Sequence, residues 1–200
     1  MEQKQKSELT KQLILDESFK LFYQNGFKTT SVDKIMKATN LTKGAFYHHY
    51  KSKKDLGLEI ISSTLQKRVY DGMITPLYQD GNVLDILEST FSGRLKSFSL
   101  FAKKHGCPMN NFINEIADEE EAYQIALKRI IEEWKAALVH LLERGKKENT
   151  INKSYSSNAI ATYLISSFEG VRGIRKLYND DQILDEYING LSLYIDQLKA

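Results

Sequence analysis

Residues 29–56 read TTSVDKIMKATNLTKGAFYHHYKSKKDL, and the spacing inside this stretch decides the fold. Val32, Ile35, Met36 and Thr39 follow the i, i+3, i+4, i+7 pattern of a helix with one buried face, and Thr30 with Asp33 has the form of an N-terminal capping box. Asn40 falls where the chain must reverse, and asparagine tolerates the left-handed backbone of a tight turn. A third helix can then start at once. With Thr42 as its N-cap, Leu41 can pack on Phe46 as a hydrophobic staple that sets the exit angle. The opposite face carries Lys43, Gly44, Ala45, Tyr47 and His48, which are slim at the start and rich in hydrogen-bond donors. Ser52 and Asp55 form a second capping box, with Lys53 and Lys54 in the first turn of the helix it opens. Two helices in a tight turn, the second with a polar face, suit the major groove of DNA.

On the N-terminal side, Ile14, Ser18, Leu21 and Phe22 line one side of a first helix that Gly26 and Phe27 end. On the C-terminal side, the only prolines, Pro76 and Pro108, lie between segments of helical periodicity, and no segment shows sustained strand alternation. The chain reads as all-α, with helices over about 7–25, 31–39, 42–49, 52–70, 82–104, 110–117, 119–148, 156–178 and 181–198. A length of 200 residues with 42% hydrophobic content allows one helical domain or a small domain joined to a larger one.

Charge divides the chain. Residues 1–54 hold eleven lysines and no arginine against five acids, a net +6, whereas the remainder holds seventeen bases against twenty-one acids, a net −4. A basic head on a slightly acidic body is the balance of a nucleic-acid-binding module, and also of a head made basic for solubility. No stretch approaches the roughly 20 apolar residues of a membrane span, and the N-terminus lacks the apolar run of a signal peptide, so a cytoplasmic protein without membrane partners is expected. The single cysteine, Cys107, excludes an internal disulfide. No metal site or cofactor is expected: there is no CxxC pair, and His48 and His49 diverge by about 100° on a helix.

The stretch GFKTTSVDKIMKATNLTKGAFYHHYKSKKDL, with ILDESFKLF before it, resembles the DNA-binding domain of the TetR family of bacterial regulators over about residues 10–60. Asn40 stands where glycine is common at the turn, and Tyr50 where phenylalanine is usual. The resemblance implies an N-terminal three-helix DNA-binding domain, 1–54, and a C-terminal helical effector-binding and dimerisation domain, 55–200. It also implies that Lys43, Gly44 and Ala45 lie against base edges, with Thr30, Thr42, Tyr47, His48, His49 and Lys53 on phosphate, sugar or the helix ends that face them. His49 has a second reading as a hydrogen-bonded core residue. Lysine then becomes the long-reach reader, able to donate to guanine O6 and N7, while the Ala45 methyl can rest on a thymine methyl.

In the body, Phe91, Phe98, Phe101, Cys107, Phe112, Tyr123, Trp134, Tyr163 and Phe168 are candidates to line an effector pocket, with ordinary core packing as the alternative for each. The segment from Lys103 to Lys147 looks like family members that carry a Gly-Cys-Pro turn followed by a long helix with a central tryptophan. Cys107 in that turn, near Lys103, Lys104 and His105, gives a second functional reading, a repressor that senses electrophiles or oxidants, set against a small buried hydrophobe. Ser166, Gly170 and Gly173 form a strip of small residues, and Leu191, Tyr194 and Leu198 repeat nearby; both suit a homodimer interface or close packing within one chain. Two rivals use the same residues. Cys107 with His105 lacks the third orienting group of a catalytic site, and long amphipathic helices also bind proteins.

Overall fold

The computed structural model describes residues 2–200, with the side chains described from Gln3 onward. Among the described residues the chain is helical, and its only extended pairing is an isolated antiparallel bridge between Ile151 and Lys199. It divides into two compact units: the chain up to Gln66 together with Pro108–Leu127, and Lys67–Cys107 together with Lys128–Ala200. This division differs from a cut at residue 54, because the start of the fourth helical run and the segment after Pro108 pack with the N-terminal helices.

In the first unit, α1 (Glu2–Asn25), α2 (Val32–Thr39) and α3 (Lys43–His49) form the three-helix head, and α4 (Lys53–Glu59) follows. Ile14, Ser18 and Phe22 are buried as the α1 pattern requires, with Leu21 half-buried beside them. Gly26, at φ +89°, ends α1 in a left-handed conformation, and its N–H bonds the Phe22 carbonyl at 2.9 Å. A Cβ there would also stand 3.0 Å from Glu115 Oε1. Phe27 turns inward to a cluster with Phe22 (centroids 4.8 Å apart), Phe112 (6.0 Å) and Tyr123 (5.9 Å). Gly57 packs so tightly on this cluster that a Cβ would lie 2.7 Å from Phe27 Cε2.

The cap of α2 corrects one expectation. Its N-cap is Ser31, whose hydroxyl accepts from the Lys34 N–H at 3.2 Å. Thr30 is instead fully buried and donates to the Gly26 carbonyl at 2.8 Å. Two hydroxyls in a row allow either to cap, and burial of Thr30 under the turn selects the next one. Asn40 adopts φ 55°, ψ 31° as the turn requires, and Thr42 caps α3 through Ala45 N–H.

The run that begins at Lys53 holds a feature that periodicity did not reveal. It passes from α4 through a π-helical stretch, Ile60–Leu65, a short α5 (Gln66–Val69), a second π-helical stretch, Tyr70–Ile74, and a 3-10 turn, Thr75–Tyr78, which contains Pro76. Wide turns of this kind are rare and concentrate at functional sites.

In the second unit, α6 (Val83–Ser97) and α7 (Leu100–His105) replace the single expected helix over 82–104. The break falls at Phe98, whose backbone is extended, and Ser99 restarts the helix by accepting from the Ala102 N–H. α8 (Pro108–Ile116) belongs to the first unit, and α9 (Glu121–Lys147) runs on into the second. There α10 (Ser157–Ile174) and α11 (Gln182–Asp196) complete the bundle. Its core holds Phe91 and Trp134 stacked at 6.1 Å, with Phe168 edge-on to Phe91 at 5.4 Å and to Trp134 at 5.8 Å.

Candidate nucleic-acid interface and effector region

α3 has two distinct sides. Phe46 is fully buried against the head, and Tyr50 at the helix end packs on it at 5.7 Å. Facing out are Thr42, Lys43, Gly44, Tyr47 and His48, with Ala45 and His49 half-buried. Seven of the nine residues expected at DNA therefore share this helix or its cap. Because the apolar side is fully occupied, the outward polar side is left to find a partner beyond the head.

The electrostatics of that face are specific. Lys43 Nζ pairs with Asp33 Oδ1 at 2.8 Å, and this hydrogen bond holds the ammonium above its ordinary pKa. The charge is present and committed to a carboxylate of α2. Partial burial pushes the His49 imidazole below its ordinary value, with the neighbouring His48 and Lys11 acting in the same direction, so a neutral ring is favoured at that position.

Two expected DNA contacts are placed otherwise. Thr30 has no exposed side chain in this conformation, so its hydroxyl supports the turn. Lys53 folds back under the head, where Nζ donates to the carbonyls of Phe27 (3.0 Å) and Thr30 (3.1 Å) and lies 4.5 Å from the Phe27 ring centroid. Burial lowers its pKa. Carbonyls at the α1–α2 turn with a lone pair to spare attract a nearby ammonium, which sequence spacing cannot show.

α8 reaches this same turn. Glu115 accepts from the backbone N–H of Phe27 at 2.9 Å and of Lys28 at 2.6 Å. Lys28 pairs with Glu119 at 2.6 Å and Lys54 with Glu120 at 2.5 Å, while Tyr123 donates to the Lys54 carbonyl. The acids of residues 115–121 had no role in the sequence reading. Their signal was a run of carboxylates opposite a lysine-rich head, which only contact could assign.

The nine effector-pocket candidates do not line one cavity. Phe91, Trp134, Phe168 and Phe98 cluster in the second unit, and Trp134 Nε1 is buried without a hydrogen-bond partner. Phe112 and Tyr123 are instead core of the first unit. Phe101 is exposed and stacks on His105 at 4.1 Å, and Tyr163 is exposed and packs on Tyr194 at 4.5 Å. Cys107 is buried, with its thiol on the Glu169 carboxylate. Burial holds Glu169 above the usual carboxylate range even though Arg172 lies 3.4 Å away.

Among the dimer candidates, Leu191 and Leu198 are buried within their own chain, as the alternative of close packing within one chain has it. Leu191 faces inward on α11, and Leu198 is buried just beyond its end. Ser166 and Gly170 are exposed and Gly173 half-buried, and a Cβ on either glycine would meet nothing within 4 Å. Tyr163, Ile174, Leu177 and Leu193 are also exposed in this unit. Among the described residues there is no group of three or more metal-ligating side chains, and no helix is long and apolar enough to cross a membrane.

The helix-turn-helix head and the helical second unit define a class of DNA-binding regulator, and comparison with known proteins agrees. Residues 14–60 match the bacterial regulatory proteins of the tetR family, and residues 84–191 match the tetracyclin repressor-like C-terminal domain. The chain belongs to the TetR family and is a DNA-binding transcriptional regulator with a C-terminal ligand-binding domain. It is 22% identical over 185 residues to the HTH-type transcriptional repressor DhaR of Mycobacterium sp. (strain GP1), covering 89% of this chain and 88% of that one. It is 24% identical over 144 residues to the repressor NemR of Escherichia coli (strain K12), covering 71% of each. A TetR regulator from Chloroflexus aurantiacus superposes with a TM-score of 0.87 at 23% identity, covering 98% of both chains, which shows the shared fold.

Proposed function

We propose that this chain is a cytoplasmic repressor that binds a palindromic operator as a two-fold dimer and is released by a small-molecule effector. The observation that carries the DNA reading is α3 itself, with Phe46 wholly buried on one side and Lys43, Tyr47 and His48 exposed on the other. In this reading Lys43 exchanges Asp33 for guanine O6 and N7, Gly44 lets the helix approach, and the Ala45 methyl meets a thymine methyl. Tyr47, His48 and the start of the helix at Thr42 hold phosphate and sugar, with His49 beside them. Lys53 acts from beneath, by tying α4 to the α1–α2 turn; reaching a phosphate would require its ammonium to leave two carbonyls.

One such helix reads few base pairs, so two heads spaced about 34–36 Å apart are physically expected. The strip of exposed Ser166 and Gly170 with half-buried Gly173, flanked by exposed Ile174 and Leu177, supports a partner copy at α10, with Tyr194 and Tyr163 at its edge. For the effector, the buried aromatic group Phe91, Trp134 and Phe168, with an unpartnered indole N–H, supports an organic ligand in the second unit. Release is then a population shift, with the ligand bound more tightly by the conformer that does not fit DNA. The other reading, sensing through Cys107, needs a thiol that solvent can reach, and this one is buried on a carboxylate.

A gel-shift selection against random duplexes, run beside sedimentation, tests the proposal. A dimer selecting an inverted repeat is expected; a monomer, or a dimer with no sequence preference, overturns it.

A further inference from the structure

Most arginines of the second unit are committed. Arg129 pairs with Glu133, Arg144 with Glu148, Arg172 with Glu169 and Arg175 with Asp181. Arg94 is half-buried on α6, and among the described residues it has no ion pair and no side-chain hydrogen bond. Its guanidinium lies 5.0 Å from the Phe98 ring centroid, and Arg172 lies 4.2 Å from the same ring. Burial lowers the pKa of Arg94, and the charges of Arg68 and Arg172 act in the same direction. Arg94 itself pairs with no carboxylate among the described residues. A partly desolvated guanidinium without a counter-ion of its own is an unfavourable arrangement, and an anion relieves it.

The surroundings leave room for one. Arg94 lines an open cleft of about 260 Å³ with Gln79, Ser89, Thr90, Gly93 and Ser97. The other wall is made by Pro76 and by Gly72 of the π-helical stretch, where a Cβ would lie 2.8 Å from Arg94 Cζ. Only a glycine lets the guanidinium lie flat against that turn. The lining supplies hydroxyls and an amide, neutral groups suited to the flanks of a single negative head.

We propose that this cleft is a binding site for a small organic carboxylate, whose head group forms a two-point pair with Arg94. The site is separate from the aromatic cluster of the effector reading above and rests on that reading only for its regulatory meaning. A ligand seated here grips the wide turn of a helical run that starts, without an intervening loop, at Lys53.

The test uses purified full-length protein, free of DNA, at constant ionic strength. Replacing chloride by benzoate or hexanoate should raise Tm by a few degrees, while benzamide and hexanamide should not. Arg94→Gln should abolish the carboxylate response, and so should Gly72→Ala, whose methyl takes the guanidinium's seat. Circular dichroism checks the fold of each variant; should Arg94→Gln fail to fold, Gly72→Ala and the amide comparison decide. No carboxylate response in the wild type, an equal response to the amides, or a response retained by Arg94→Gln overturns the proposal. Because no DNA enters the measurement, such a failure leaves the regulator reading standing, and a failed gel shift leaves this site standing.

Discussion

The two regions of the molecule use positive charge differently. Through residue 54 every cation is a lysine, and several pair with acids at the surface, as Lys43 does with Asp33, Lys28 with Glu119 and Lys54 with Glu120. All six arginines lie beyond that point, and the most buried of them are built in: Arg172 donates to the Gly106 carbonyl and Arg175 to Asp181 and the Tyr178 carbonyl. A flexible, strongly hydrated ammonium keeps its charge exchangeable, whereas a planar guanidinium with five donors fixes several acceptors at once. The head therefore carries charge that DNA can recruit, and the body carries charge that holds helices in place.

The largest effect that would sharpen this contrast is at Arg172. Arg172→Ala leaves the Glu169 carboxylate buried without its counter-charge, at a cost of about 3–5 kcal/mol in urea denaturation. The sign of its pH dependence follows. A carboxyl whose folded pKa lies above its unfolded value binds more protons when folded, so stability falls as pH rises through that interval. The variant should be weakest at alkaline pH and partly recover on acidification; a loss independent of pH would show that Glu169 is not the group left behind.

Next in size is Glu115→Ala. It removes the acceptor of the Phe27 and Lys28 N–H groups, and about 1–2 kcal/mol of stability with it. DNA affinity should fall too, because the turn it holds precedes α2. Thr42→Ala removes the α3 cap and costs about 1 kcal/mol, read by thermal denaturation. The smallest effects concern the exchangeable charges. Asp33→Asn frees Lys43 and should tighten operator binding a little without changing stability, while Lys43→Ala should relax preference at one base pair of each half-site. Lys53→Ala separates the two uses of charge directly: a loss of stability with an unchanged salt slope marks it as a structural tie, and a slope reduced by about 0.9 marks it as a phosphate contact.

Much of the head was legible because its determinants are local. The left-handed Asn40, the Thr42 cap and the buried Phe46 each follow from residues within one or two turns of one another. The Thr30 and Ser31 pair shows the limit, since both can cap and packing chose between them. Phe98 shows the same limit in the body: nothing in the periodicity of 82–104 marks the break, which Ser99 makes possible and the ring's place between Arg94, Arg172 and Phe168 makes favourable. Of the expected pocket aromatics, Phe112 and Tyr123 joined the head, because aromatic residues at helical spacing carry no mark of which core they will enter.

The order of residues alone determined the helices of the head, the Thr42 cap of α3, its polar face and the basic balance around it, since all of these rest on short-range geometry and on counting charge. Tertiary structure decided where each cation goes. It placed Lys53 on the carbonyls of a turn 23 and 26 residues away, Glu115 on N–H groups 88 and 87 residues away, and left Arg94 beside an open cleft. Long charged side chains take the partner that folding brings within reach, and that partner is set by packing between distant segments.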